Sequence, residues 1–386
     1  MEGESKAEPG DSEGWSGLVR ALNPRESKLN LMLLFVPLAI YFGLFTDNGP
    51  LAFATSMAAI MPLAFLMGRA TEEMALRTSQ SVGGLLNATF GNAAEMIIAL
   101  FAVLAAATAL KAGDTDTAET MIHLVQASLI GSILGNLLLV LGLAFVWGGL
   151  HHKVQSFSGA QVGANGSLLL LAVIALTLPT AYDFTHPSPG DGIETLSHLT
   201  ALVLLVLYGL FMFFQFRTHT ELFATDGTHH DEEPSMSKKE AIVLLLAATA
   251  FVAWMAEILV FSIEEAATEW GLPHLFIGVI LVPLFGNAAE HFTAVSVAAK
   301  DKMDLSFSIA VGSSTQIAVF VAPLMVVIAW AVGVPLTFQF GLFETVATFL
   351  SVLIANAIAA DGKSNWLEGA MLLGTYIILG CAFFLY

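Results

Sequence analysis

Apolar runs long enough to cross a bilayer follow one another along almost the whole of this chain, and that leaves it one architecture. In hydrocarbon every backbone amide and carbonyl needs a partner within the protein, so such runs become helices packed side by side. Counting runs separated by polar, Gly or Pro-containing breaks places eleven spans at roughly 30–46, 50–68, 82–110, 121–149, 166–182, 196–216, 240–260, 273–299, 305–332, 342–360 and 366–385. Hydrophobic residues make up 56% of the 386 and charged residues 12%, with a mean hydropathy of +0.77, which excludes an ordinary soluble domain. The expected fold is an all-α polytopic membrane protein. Spans three and four exceed the roughly 20 residues a membrane needs, so a tilt or a break is expected in them.

Basic residues concentrate in loops that stay cytoplasmic. With the N-terminus inside, Lys6, Arg20, Arg25, Lys28, Arg69, Arg77, Lys153, Arg217, Lys238, Lys239, Lys300, Lys302 and Lys363 all fall on the cytoplasmic side, and only Lys111 falls outside. Thirteen of 14 bases obeying one alternation supports the span count, because a missed helix would invert every later loop. The C-terminus then lies on the opposite side. Residues 1–29 are polar and show no cleavable signal pattern, so the first span is expected to stay as an anchor.

Inside spans three and eight sit two copies of one pentapeptide, Gly91-Asn92-Ala93-Ala94-Glu95 and Gly286-Asn287-Ala288-Ala289-Glu290. Gly and Ala allow close helix crossings. Packing has no use for the Glu. An ionised acid at membrane depth costs about 2.5–3.5 kcal/mol or more, so it is read first as functional. The copies lie 195 residues apart and lay spans two to six over spans seven to eleven. A five-span unit is odd, so its two copies have opposite orientations, the inverted-repeat arrangement of many secondary transporters, and Glu95 and Glu290 are expected to meet near the membrane midplane. The chain accordingly divides into a polar cytoplasmic segment 1–29, a first helix 30–46, repeats at 50–216 and 240–386, and a cytoplasmic linker 217–239.

In the span after each pentapeptide a second pair matches, at an offset of 181: Gly131-Ser132 before Asn136, and Gly312-Ser313-Ser314 before Gln316. Gly and Ser in series permit kinks that expose carbonyl oxygens to a cation. Asn87, Gly91 and Glu95 share one helix face. Val282 stands where the first copy has Asn87, and His291 where it has Met96, so the repeat is chemically imperfect; His291, next to Glu290, is a candidate proton carrier. Glu72-Glu73 and Glu264-Glu265 precede the two pentapeptides at opposite ends and read as two acidic mouths, with Glu257 inside span seven. In the linker, His229, His230, Asp231, Glu232 and Glu233 read mainly as a solvated connection, with weak metal binding as the alternative.

Two carboxylates with the amides of Asn87, Asn92, Asn287 and Gln316 and the hydroxyls of Ser132 and Ser313 form an all-oxygen donor set suited to a hard cation. Calcium fits best, accepting six to eight oxygens in adaptable geometry; manganese also suits these ligands, and zinc is disfavoured without thiolates. A divalent ion neutralises both Glu, and when it leaves protons take its place. The empty, doubly charged form is the costly one, and that difference yields antiport. The net charge of −18, from 32 acids and 14 bases, disfavours nucleic acid and favours cations. The single cysteine, Cys381, excludes an internal disulfide framework.

Gly91–Glu95 behind Leu86-Asn87-Ala88-Thr89-Phe90, Gly286–Glu290 followed by His291, Gly312-Ser313-Ser314-Thr315-Gln316, and the stretch from Asp361 through Lys363-Ser364-Asn365 to Gly369 together resemble the calcium/proton exchangers of the calcium/cation antiporter superfamily. The resemblance covers spans two to eleven. It implies eleven membrane helices, a midplane site on Glu95 and Glu290, and proton-driven export of cytosolic calcium across a plasma, inner or vacuole-type membrane. It also implies that Asn87, Ser132, Ser313 and Gln316 lie near the ion path and that Glu257 and the flanking acids serve approach and release. No cofactor is expected, and calcium is the transported substrate. The linker is shorter than the long acidic segment of some relatives, and the repeats lack the further acids of a sodium-coupled relative. Three other readings remain beside this one, a sodium/calcium exchanger of the same superfamily, an intramembrane enzyme with a carboxylate dyad and a passive cation channel.

Overall fold

The computed structural model describes residues 15–78, 80–186, 192–220 and 234–386. Among the described residues ten helices are long and apolar enough to span a membrane, or eleven with a bent pair counted as one span. After a short helix α1 (Ser16–Leu22) come α2 (Lys28–Phe45), α3 (Gly49–Ala75), α4 (Gln80–Phe90), α5 (Ala93–Ala112), α6 (Thr115–His151), α7 (Gly159–Thr185) and α8 (Gly192–Thr218). Past the linker lie α9 (Lys238–Trp270), α10 (His274–Gly286), α11 (Ala288–Ala299), α12 (Met303–Val332), α13 (Leu342–Ala359) and α14 (Trp366–Leu385).

The helix ends follow local chemistry. Asn48 accepts from the Leu51 amide at the start of α3, Asp114 does the same for α6, and Ser237 and Asn365 form capping boxes with Glu240 and Glu368. Gly113, Gly271 and Gly333 close helices in left-handed geometry, at φ of 79°, 62° and 77°.

Both pentapeptide spans are broken at the same place. The expected third span divides into α4 and α5 at Gly91-Asn92, and the eighth bends by 57° between α10 and α11 at Asn287. Asn92 (φ −100°, ψ 23°) and Asn287 (φ −86°, ψ 8°) leave helical geometry alike, so each Glu sits in the first turn of the helix that restarts. The following spans carry π turns at Gly135–Val140 and Ile317–Val321; shifted by 181, residues 136–140 coincide with 317–321. The expected break in span four is therefore a π turn inside one continuous helix of 37 residues.

Packing couples the two halves. α3 runs beside α9, α5 packs on α9, and α10 and α11 pack on α3, so each broken span leans on the first long helix of the other half. These helices exceed the expected spans: α3 continues to Ala75 and α9 to Trp270, which puts Glu72, Glu73, Glu264 and Glu265 on helix rather than in loops. The Asp361–Ser364 stretch forms one strand of a small antiparallel pair, β1 (Gln155–Ser156) with β2 (Lys363–Ser364), that ties the loop after α6 to the loop before α14.

Gly131 sets the closest approach between α6 and α10. A Cβ there would lie 2.1 Å from the Val279 carbonyl oxygen, which cannot move without unwinding a π turn at Ile277–Leu281. Gly131→Ala should lower thermal stability in detergent by about 1–3 kcal/mol, whereas Gly68→Ala, where nothing lies within 4 Å, should leave it unchanged. Equal melting of both variants and wild type would remove Gly131 as the spacer.

Candidate cation site

The two helix breaks face each other. Glu95 Oε1 lies 3.6 Å from where a Gly286 Cβ would be, so the first carboxylate rests against the glycine of the second pentapeptide. Glu290 faces the side chains of Ser313 and Asn136 and is near enough to Glu95 for the two to repel when charged. Amides and hydroxyls from both halves then join in one chain. Asn136 Nδ2 donates to Ser313 Oγ (2.8 Å), Ser313 Oγ donates to Asn92 Oδ1 (2.7 Å), and Asn92 Nδ2 donates to Gln316 Oε1 (2.8 Å). Asn92, Asn136 and Asn287 are each no more than 1% exposed.

Several oxygens are left over. Glu95 Oε2, Asn136 Oδ1, Asn287 Oδ1 and Glu290 Oε2 are buried with no hydrogen-bond partner among the described residues, and so are Asn287 Nδ2 and His291 Nε2. Buried polar atoms are nearly always satisfied, so a group of orphans at one place needs a cause. Four oxygens, two of them from carboxylates and drawn from both halves, supply part of the six to eight that a calcium ion takes.

The sequence-derived candidates divide on the structure. Glu95, Glu290, Asn92, Ser313 and Gln316 come together, Asn287 and His291 flank them, and Ser132 is buried one turn before Asn136. Asn87 is exposed on α4. Asn136, which the sequence marks only as the end of the Gly131-Ser132 motif, starts the hydrogen-bonded chain; its signal is its position, where the offset of 181 sets it beside Gln316 and Ile317.

Among the acids, Glu264 and Glu265 line a shallow cavity of about 550 Å³ with Phe261, Thr268 and Glu269, and Glu257 is exposed on α9. Glu72 is exposed near the end of α3. Glu73 differs from the expected open mouth. It is buried, pairs with Arg77 at 3.1 Å, and accepts from the Ser235 amide (2.9 Å), the Ser235 hydroxyl and the Met236 amide (3.3 Å), so it clasps the segment that enters α9. The His229–Glu233 group lies outside the described residues. Among the described residues no group of three His, Cys, Asp or Glu is placed to hold a metal.

Glu73→Ala would strand two backbone amides and Arg77, at about 1–3 kcal/mol. Limited proteolysis should then cleave the 234–240 region several-fold faster than in wild type; unchanged cleavage would argue against the clasp.

The sequence model of the family described as sodium/calcium exchanger protein matches residues 48–217 and 240–385. A Ca(2+)/H(+) antiporter of Aphanothece halophytica is 46% identical over 370 residues, covering 92% of this chain and 95% of the relative. Vacuolar cation/proton exchanger 5 of Arabidopsis thaliana is 42% identical, covering 93% and 81%. Among solved structures, native YfkE superposes with a TM-score of 0.78 at 38% identity over 93% of this chain and 99% of that one. The H+/Ca2+ exchanger CAX reaches a TM-score of 0.72 over 94% and 93% at 16% identity, a likeness of fold. The chain therefore belongs to the sodium/calcium exchanger protein family, a family of membrane transporters rather than enzymes, and within it groups with the calcium/proton exchangers.

Proposed function

We propose that this protein is a proton-driven calcium antiporter in which Glu95 and Glu290 hold either one calcium ion or protons. The observation that carries the reading is the set of four orphaned buried oxygens on Glu95, Asn136, Asn287 and Glu290, drawn from both halves of the chain. The names of the Aphanothece halophytica Ca(2+)/H(+) antiporter and of the Arabidopsis thaliana vacuolar cation/proton exchanger support the choice of ions.

The chemistry follows from charge. Two ionised carboxylates in a bundle with little water repel each other and are poorly solvated. A calcium ion between them cancels both charges and gains oxygens from the neighbouring amides. Protons cancel the same charges without the ion. Both loaded forms are close to neutral and free to rearrange, while the empty form is held back by its buried charges, so calcium leaves only as protons arrive. Asn92, Ser313 and Gln316 hold the amide frame, and Ser132 and Asn287 stand beside it as further oxygen donors. Manganese fits the same donors. In this reading His291 hands protons to Glu290, and Glu257, Glu264 and Glu265 gather cations. Glu72 serves the opposite mouth, and Asn87 meets the ion as it approaches.

Residues 50–216 and 240–386 act as the two inverted repeats, and alternating access arises as they rock about the site, with the helix breaks at Asn92 and Asn287 as joints. The alternation of 13 of 14 bases supports a cytoplasmic N-terminus and a C-terminus on the opposite side. The direction of transport is then export of cytosolic calcium across a plasma, inner or vacuole-type membrane.

In proteoliposomes, Glu95→Gln or Glu290→Gln should reduce proton-driven calcium uptake at least 100-fold with normal folding, and Asp at either position should retain a measurable fraction. Coupled uptake by either Gln variant within ten-fold of wild type would count against the site. Imposing pH and sodium gradients separately decides the ion: uptake should follow pH, and uptake that follows sodium at fixed pH would make the protein a sodium/calcium exchanger.

A further inference from the structure

Beside Gln316 a cavity of about 80 Å³ lies between α7, α8 and α12. Its wall includes Asn165, Tyr208, Gln215, Ser308, Thr315 and Gln316. The volume is well above the roughly 10–15 Å³ one water needs, and the wall is polar enough to hold several. Among the described residues that line it there is no carboxylate and no base. A divalent ion entering it would lose hydration without gaining a countercharge, so the chamber suits water and excludes the cation.

Three observations tie this chamber to transport. The Tyr208 hydroxyl is buried with no hydrogen-bond partner among the described residues, and its residue is only 8% exposed; Asn165 is 6% exposed. Buried hydroxyls of this kind are normally satisfied, if not by protein then by ordered water. Gln316 belongs both to the chamber wall and to the amide chain that reaches Asn92. Along α12 the wall runs from Ser308 to Val319, about 16 Å at 1.5 Å per residue. That is about half of a hydrocarbon core roughly 30 Å thick, and it starts at the end of the bundle that carries Arg217 and Lys302.

The two halves differ here. Gly131 and Gly312 are equivalent at the offset of 181, yet a Cβ on Gly131 would strike Val279 while one on Gly312 would meet nothing within 4 Å. The first site is closed by helix packing, and the second opens on the chamber.

We propose that this chamber holds a chain of waters that conducts protons between the Arg217 and Lys302 end of the bundle and the Glu95–Glu290 pair, separate from the path of the cation; the inference rests on the exchange reading above. During export a carboxylate gives its proton to the nearest water. Each water passes one proton onward along its hydrogen bond, and the last releases one at the Ser308 end. No other bond forms or breaks. The cation, refused by the neutral wall, reaches the carboxylates by another way.

The test uses the full chain with three separate substitutions, Asn165→Leu and Ser308→Leu, which dry or fill the chamber, and the conservative Tyr208→Phe. Calcium binding by the purified protein and calcium/proton exchange in liposomes are measured for each. In a Cys381→Ser background, Asn165→Cys is probed with a membrane-impermeant, water-soluble thiol reagent. The expected result is calcium affinity within two-fold of wild type, exchange slowed at least five-fold by Asn165→Leu and Ser308→Leu and two-fold or more by Tyr208→Phe, and a cysteine that reacts. Exchange within two-fold of wild type in all three overturns the proposal. So does calcium affinity falling in proportion to exchange, which would make the wall mere support for the cation site, and so does an unreactive cysteine. If the wild-type protein moves calcium without protons, the exchange reading fails instead, and reactivity of the cysteine still reports whether the chamber is wet.

Discussion

Negative charge buried where there is little water to solvate it is the constraint behind the rest of the structure. Glu95 and Glu290 are brought together by two helix breaks of the same form, and among the described residues neither is paired with a Lys or Arg; Arg77 pairs with Glu73 instead. A fixed cation at the site would make a permanent salt bridge. Leaving that position to a mobile ion makes the pair a switch, because its stability then depends on what is bound.

The breaks themselves follow from the residues that surround the acids. Gly91 and Gly286 allow the chain to turn, and the asparagines after them take non-helical geometry, so each Glu begins a new helix, at the positive end of its dipole. The π turns in α6 and α12 lie just beyond Gly131-Ser132 and Gly312-Ser313. Single π turns often occur at functional sites, and here they bracket Asn136 and follow Gln316, the amides at the two ends of the hydrogen-bonded chain. Small residues set the spacing, with Gly131 against Val279 and Gly278 against Ala127.

Much of this was legible in the sequence because the signals were local and repeated. Apolar length marked the spans, and identical pentapeptides marked the two matching helix breaks and the acids they carry. Contacts between distant segments left no such trace. The tie from Asn136 through Ser313 to Asn92 joins residues 177 and 221 positions apart, and no periodicity marks it. Glu73 reads as a mouth acid because it stands beside Glu72, yet it faces inward and holds Ser235 and Met236, a role that depends on where the chain returns after the linker. Asn165, Tyr208 and Gln215 come from α7 and α8, outside every repeated motif, so their chamber appears only when those helices pack on α12.

The central claim is that metal and protons compete for the same pair of oxygens. Calorimetric titration of the wild-type protein with calcium, repeated in buffers of different ionisation enthalpy, counts the protons released per ion bound. The account predicts proton release on binding at a pH where the empty site is protonated, and an apparent affinity that falls as the pH is lowered. Tight binding with no proton release at any pH between about 5 and 8 would contradict it.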